Sequence, residues 1–127
     1  MARPSKVIKR QLAVCIALCI MAAGARANTA SEEIGYLIES IGQSGCAFVR
    51  NGKNHSAPDA ADHLRMKYRR GKAYANSAEQ FISRLASKSS MSGKPYYMKC
   101  DGEETQKTGE WLTERLEAFR KNRGNES

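Results

Sequence analysis

Cys46-Ala47-Phe48-Val49-Arg50, closed by Asn51-Gly52, and the later run Tyr96-Tyr97-Met98-Lys99-Cys100, led in by Pro95, decide the fold of this chain. Both runs are short and β-prone, and turn residues bound them, so each reads as a strand. Laid antiparallel with Cys46 opposite Cys100, they put Phe48 opposite Met98 and Arg50 opposite Tyr96. All six side chains then share one face. A lone two-stranded ribbon is marginal in water and must lie on helices. The expectation is a small single α+β domain, about four helices packed on a two-stranded antiparallel ribbon.

The pairing of those two cysteines follows from the N-terminus. The chain has 127 residues, four cysteines and a formal net charge of +8. Residues 1–27 read as a cleavable signal peptide. Arg3, Lys6, Lys9 and Arg10 precede an apolar run from Leu12 to Ala25, which ends in Ala25-Arg26-Ala27. That run is shorter than the ~20 residues a membrane-spanning helix needs, so no transmembrane segment is expected once Ala27 is cleaved from Asn28. Cleavage removes Cys15 and Cys19 and leaves Cys46 and Cys100, which in a small exported domain read as one disulfide. It also removes five of the 21 Lys and Arg and none of the 13 acids, so the domain that remains carries about +3. Such a charge gives no reason to expect nucleic acid as a partner. The expected mature unit is 28–127, located in the periplasm, with a frayed tail over about 121–127.

Capping patterns and apolar stripes place the helices. Thr29 and Glu32 form a T-x-x-E box ahead of Ile34, Leu37, Ile38 and Ile41, and Gly42 and Gly45 end that run. Ser56 and Asp59 open a second helix with Pro58 in its first turn; Ala57, Ala60, Ala61, Leu64 and Tyr68 line one face, and Gly71 closes it. Ser77 and Gln80 open a third with Ala78, Phe81, Ile82, Leu85 and Ala86 as its stripe. Thr108 is the candidate cap of a fourth, with Trp111 or Leu112, Leu116 and Phe119 inward.

The strand register brings two loops together. Arg50 runs into Asn51 to His55, and Tyr96 follows Ser89 to Lys94. Arg50, Asn51, His55, Ser90, Ser92, Lys94 and Tyr96 are therefore the candidate binding residues, suited to an anionic or carbonyl-bearing group. His55, Asp59, Asp62 and His63 invite a metal reading, but Asp59 serves as a cap and Asp62 as a helix-dipole partner, so no metal and no cofactor is expected. Arg65, Lys67, Arg69, Arg70 and Lys72 form a basic helix end, which reads as a solvated terminus or a surface for anionic envelope material. Lys107-Thr108-Gly109 matches a penicillin-binding box, but no S-x-x-K accompanies it, and Gly93-Lys94 lacks the rest of a phosphate loop.

Phe48-Val49-Arg50-Asn51-Gly52, His55, His63-Leu64-Arg65-Met66-Lys67, Ala78-Glu79-Gln80-Phe81-Ile82 and the stretch Ala86 to Tyr96 follow one another in a familiar order. Together they resemble the YfeK-like family of small exported bacterial proteins, a domain of unknown function. The resemblance spans roughly residues 46–97. It implies a Gram-negative periplasmic location and carries over no catalytic residue. The leading expectation is a non-enzymatic module that binds an envelope component or a periplasmic partner protein. One alternative is a small hydrolase or transferase using His55 as general base on Ser90 or Ser92, with Arg50 and Lys94 stabilising negative charge. Another is a structural or inhibitory envelope protein acting through its basic helix end.

Overall fold

The computed structural model describes residues 29–126, so the expected signal peptide with Cys15 and Cys19 lies outside the described residues. Residues 29–43 form α1. Strands β1 (Ala47–Arg50) and β2 (Lys53–His55) follow, then α2 (Ala57–Arg70) and a 3-10 turn at Lys72–Tyr74. Helix α3 starts as an α-turn at Ala78–Gln80 and continues as a π-helix over Phe81–Ala86. Strands β3 (Tyr97–Lys99) and β4 (Gln106–Lys107) lead into α4 (Thr108–Asn125). Among the described residues, no helix is long and apolar enough to cross a membrane.

The ribbon stands at the centre of a wider antiparallel sheet, ordered β2-β1-β3-β4. Strands β1 and β3 pair in the expected register, with Phe48 opposite Met98. Cys46 and Cys100, at the end of that pair, are disulfide-bonded with Cα atoms 4.4 Å apart. Two edge strands extend the pair, beyond what the sequence reading expected. Asn51 and Gly52 both take positive φ, 50° and 78°, and so form the two-residue turn that folds β2 back onto β1. That turn matches the right-handed twist of the flanking strands. At the other edge β4 pairs with β3.

The inward face of the sheet carries Cys46, Phe48, Tyr96 and Met98, all buried. Against it pack Ile34, Leu37, Ile38 and Ile41 of α1, and Ala60, Ala61 and Leu64 of α2. The stripe of α3 and the Trp111, Leu112 and Leu116 side chains of α4 complete the core. The alanines of α2 let it lie close to α1, where a Cβ on Gly42 would come within 3.2 Å of Ala61 Cβ. Ser56 and Ser77 cap α2 and α3, accepting from the Asp59 and Gln80 amides at 3.3 and 3.1 Å.

Three local expectations change. Gly71 ends α2 at φ −106°, not in the left-handed region; it is small because a Cβ there would stand 2.8 Å from Leu85 Cδ2. Thr108 does not cap α4 with its hydroxyl. Lys107 occupies the cap, and the Thr108 amide donates to the Tyr96 carbonyl at 2.9 Å, burying the side chain under the helix start. The segment expected to fray after Arg120 stays helical to Asn125. Arg120 reaches Glu33 at 2.6 and 2.9 Å and Glu79 at 2.7 Å, while Arg123 pairs with Glu32 at 3.1 Å. These pairs hold the last turns of α4 against α1 and α3.

Candidate functional site

A half-open cleft of about 420 Å³ lies where the β1–β2 turn, the middle of α2 and the loop before β3 meet. Each wall has a local cause. The Asn-Gly turn fixes where β1 stops, so Arg50 leaves the sheet at the rim. The loop from Ser89 to Lys94 closes on itself, with the Ser89 amide donating to the Lys94 carbonyl and the Gly93 amide to the Ser89 carbonyl, both at 3.0 Å. Ser92 Oγ donates to Asn51 Oδ1 at 2.6 Å and ties this loop to the hairpin turn. Residues His63, Met66, Lys67 and Arg70 recur at helical spacing along α2 and form the third wall.

The polar groups of the cleft form one chain. Arg50 Nη1 stands 2.9 Å from His63 Nδ1. His63 Nε2 is 3.4 Å from the Tyr96 hydroxyl, and Lys67 Nζ donates to the same hydroxyl at 3.2 Å. Lys67 Nζ also donates to the Lys88 carbonyl at 3.1 Å and lies 5.1 Å from the Tyr96 ring centroid. The tautomer that satisfies most groups has Nδ1 accepting from Arg50 and Nε2–H donating to Tyr96. The Tyr96 ring is 4.9 Å from that of Phe48, which anchors this end of the chain in the core.

Burial and neighbouring cations tune the group. Burial, then Arg50, Lys67 and His55, push the His63 imidazole down to about 4, so the ring is neutral at pH 7. Burial, then Arg50, hold the Lys67 ammonium below the ordinary lysine value. Burial raises the Tyr96 phenol, partly offset by Arg50. Among the described residues, no carboxylate forms an ion pair with Arg50, Lys67 or Arg70. The cleft therefore presents donors and positive charge that no carboxylate of the described residues neutralises by pairing.

Of the seven candidate residues, Arg50, Asn51, Ser90 and Tyr96 line this cleft. Ser92 stands behind it as the latch on Asn51, and Lys94 shapes the loop through its backbone. His55 is elsewhere. It lies opposite Phe48 on the edge strand, beside Ser56, Ala57 and Pro58 at the start of α2. Met66 was not expected at a site, and His63, Lys67 and Arg70, read from the sequence in a metal set and a basic helix end, were not expected to join Arg50 and Tyr96. Their shared stripe on α2 was the available signal, but a solvated helix face gives the same pattern. The basic helix end divides: Lys67 and Arg70 turn to the cleft, whereas Arg65 pairs with Asp62 at 2.8 Å and reaches Glu39 at 4.0 Å.

No group of three or more His, Cys, Asp or Glu side chains converges among the described residues. A second groove of about 550 Å³ runs between α3 and the start of α4, along Ile82, Pro95 and Gly109. It is larger, but its charged lining residues, Lys88, Lys107 and Glu110, are of mixed sign, so the smaller cleft with its cations of one sign is the better candidate.

Comparisons with known proteins add a family and no activity. The profile described as "Family of unknown function (DUF5329)" matches residues 28–120. The chain is similar to "Uncharacterized protein YfeK" of Salmonella typhimurium, 38% identical over 86 residues, which covers 66% of this chain and 72% of that protein. No solved structure matches.

Proposed function

The chain belongs to the DUF5329 family of unknown function, which hands it no activity, and we propose from its own residues that it is a non-enzymatic exported module whose cleft binds a negatively charged group of an envelope component. One observation carries the proposal. Arg50, Lys67 and Arg70 converge on one cleft with no carboxylate paired to them among the described residues. The neutral His63 accepts from Arg50 and so orients the guanidinium without cancelling its charge. Export is supported by the signal-like N-terminus and by the disulfide, which persists in oxidising compartments.

The hydrolase alternative has less support: Ser90 lines the cleft but His55 does not, and Ser92 Oγ donates to Asn51. The test follows the His63 imidazole by NMR while inorganic phosphate or acetate is added at constant ionic strength. An anion seated beside Arg50 and Lys67 offsets their field and raises the His63 value from about 4 toward 6.5, saturably. The Arg50→Gln variant loses the saturable part of that response. A His63 value that neither anion moves overturns the proposal.

A further inference from the structure

We propose that the ligand of this cleft is an amphipathic monocarboxylate, with its carboxylate on Arg50 and Lys67 and its apolar chain along Met66, Leu85 and Met91. This rests on the anion-binding reading and narrows it to one chemical class.

The first argument is the division of the lining. Arg50, His63 and Tyr96 meet at one position along α2, and Lys67 lies one turn on. At the far end Gly71 closes the helix against Leu85, whose Cδ2 would be 2.8 Å from an added Cβ. His63 to Gly71 spans two turns, about 12 Å at the helical rise. The cleft thus runs from donors at one end to an aliphatic wall at the other, with exposed Arg70 at its rim. A compact inorganic anion would leave the aliphatic end unfilled.

The second argument is the shape of the free donors. Arg50 commits Nη1 to His63, and its Nε and Nη2 have no acceptor among the described residues. Those two groups form the planar fork that a carboxylate fits with two parallel hydrogen bonds. Lys67 uses two N–H groups, on Tyr96 and Lys88, and keeps a third. One fork and one ammonium donor supply three hydrogen bonds, enough to satisfy both oxygens of a single carboxylate.

The third argument is Met91. It is 99% exposed, in the loop that Ser92 latches to Asn51, and it lines the cleft, as Leu85 does. One exposed apolar residue is ordinary. Its position here extends the aliphatic wall outward, and an unbranched thioether adapts to a chain of variable length. The volume, about 420 Å³, holds roughly a dozen non-hydrogen atoms at about 30 Å³ each, the size of a medium-chain acyl carboxylate.

Calorimetric titration of the oxidised protein with acetate, butyrate, octanoate and octylammonium tests this. N-acetyl-leucyl-leucine serves as a further arm, because a peptide C-terminus offers the same carboxylate on an apolar chain. Octanoate is expected to bind at least about sixtyfold tighter than acetate, since its six further methylenes gain about two- to fourfold each. Octylammonium is expected not to bind. The tighter of octanoate and the dipeptide identifies the source of the carboxylate. Met91→Ser cannot unfold the protein, since the side chain is in water; it should weaken octanoate about threefold and leave acetate unchanged. Equal affinity for acetate and octanoate overturns the amphipathic ligand and leaves anion binding standing. No binding by any carboxylate overturns the carboxylate ligand, and phosphate then decides the anion reading; equal affinity for octanoate and octylammonium overturns both.

Discussion

Arg120→Met should cost about 3 kcal/mol of folding stability, a cost set by the acid it abandons. Glu33 is only 4% exposed, and both of its oxygens accept from Arg120, at 2.6 and 2.9 Å. Removing one partner of a buried ion pair leaves an uncompensated charge, which costs about 3–5 kcal/mol. The lower end applies because the Arg120 side chain is itself 46% exposed, so water can follow it in. Arg120 also holds Glu79, but that carboxylate is 61% exposed, and an exposed pair contributes about 0–1 kcal/mol. Glu79→Gln should therefore cost under about 1 kcal/mol. In Glu33→Leu/Arg120→Met the buried charge is gone, so the double variant should be more stable than Arg120→Met alone. Urea unfolding followed through Trp111 fluorescence measures the wild type, these variants and Glu33→Leu alone, which closes the double-mutant cycle. For a domain of this size, about 3 kcal/mol lowers Tm by on the order of 15 °C. An Arg120→Met cost below about 1 kcal/mol, or strictly additive single changes, would refute the assignment of Glu33 as a buried charge that needs its partner.

Further outcomes follow from other parts of the fold. Reduction of Cys46–Cys100, which closes a loop of sequence separation 54, should cost about 4 kcal/mol on chain-entropy grounds; unfolding curves with and without reductant that agree within about 1 kcal/mol would contradict that. Gly71→Ala should destabilise by about 1–3 kcal/mol through its clash with Leu85, read as a lower urea midpoint at unchanged slope. Stability should be fully present above pH 6.5 and fall as the pH drops toward 4, because unfolded His63 takes up a proton that the folded state refuses. The full shift would be worth about 3 kcal/mol, but His63 is partly in water, so about 1–2 kcal/mol is expected, and His63→Gln should flatten this part of the pH profile. The Glu79 carboxylate, held below its ordinary value chiefly by its hydrogen bond to Arg120, acts in the same direction at lower pH. Fractionation and N-terminal sequencing of the expressed protein should find it in the periplasm beginning at Asn28; a retained Met1 in the cytoplasm would sink the export reading.

What was legible in the sequence was what repeats locally. The stripes of α1, α2 and α3 and the Cys46–Cys100 register could be read because apolar spacing and a cysteine pair are visible in a list of residues. The edge strands were not. Lys53-Asn54-His55 has no apolar alternation because neither face of the strand is buried, Lys53 and Asn54 being exposed, and β4 is two residues long. Thr108 looked like a cap because capping is judged from four neighbouring residues, whereas its amide bonds to the distant Tyr96 carbonyl and its side chain is fully buried. The tail after Arg120 looked loose because its partners Glu32 and Glu33 are at the other end of the chain. The cleft was half legible for the same reason. Arg50 and Tyr96 could be brought together by strand register, while His63 and Lys67 join them only through the way α2 lies on the sheet.

The inward row of the sheet links the stability of this domain to its candidate site. It runs from the Cys46–Cys100 bond through Phe48 and Met98 to Arg50 and Tyr96. A slip of one residue between β1 and β3 would turn Phe48 out of the core and carry Arg50 away from His63. The disulfide excludes that slip at one end, and the Asn51-Gly52 turn fixes the length of β1 at the other. The same register that buries Phe48 therefore delivers the Arg50 fork to the cleft, with Tyr96 braced against Phe48 and receiving Lys67. Breaking the disulfide should then lower stability more than it alters the site, because Phe48 and Met98 still specify the register once the chain is folded. Ligand affinity measured on reduced but folded protein should match that of the oxidised form.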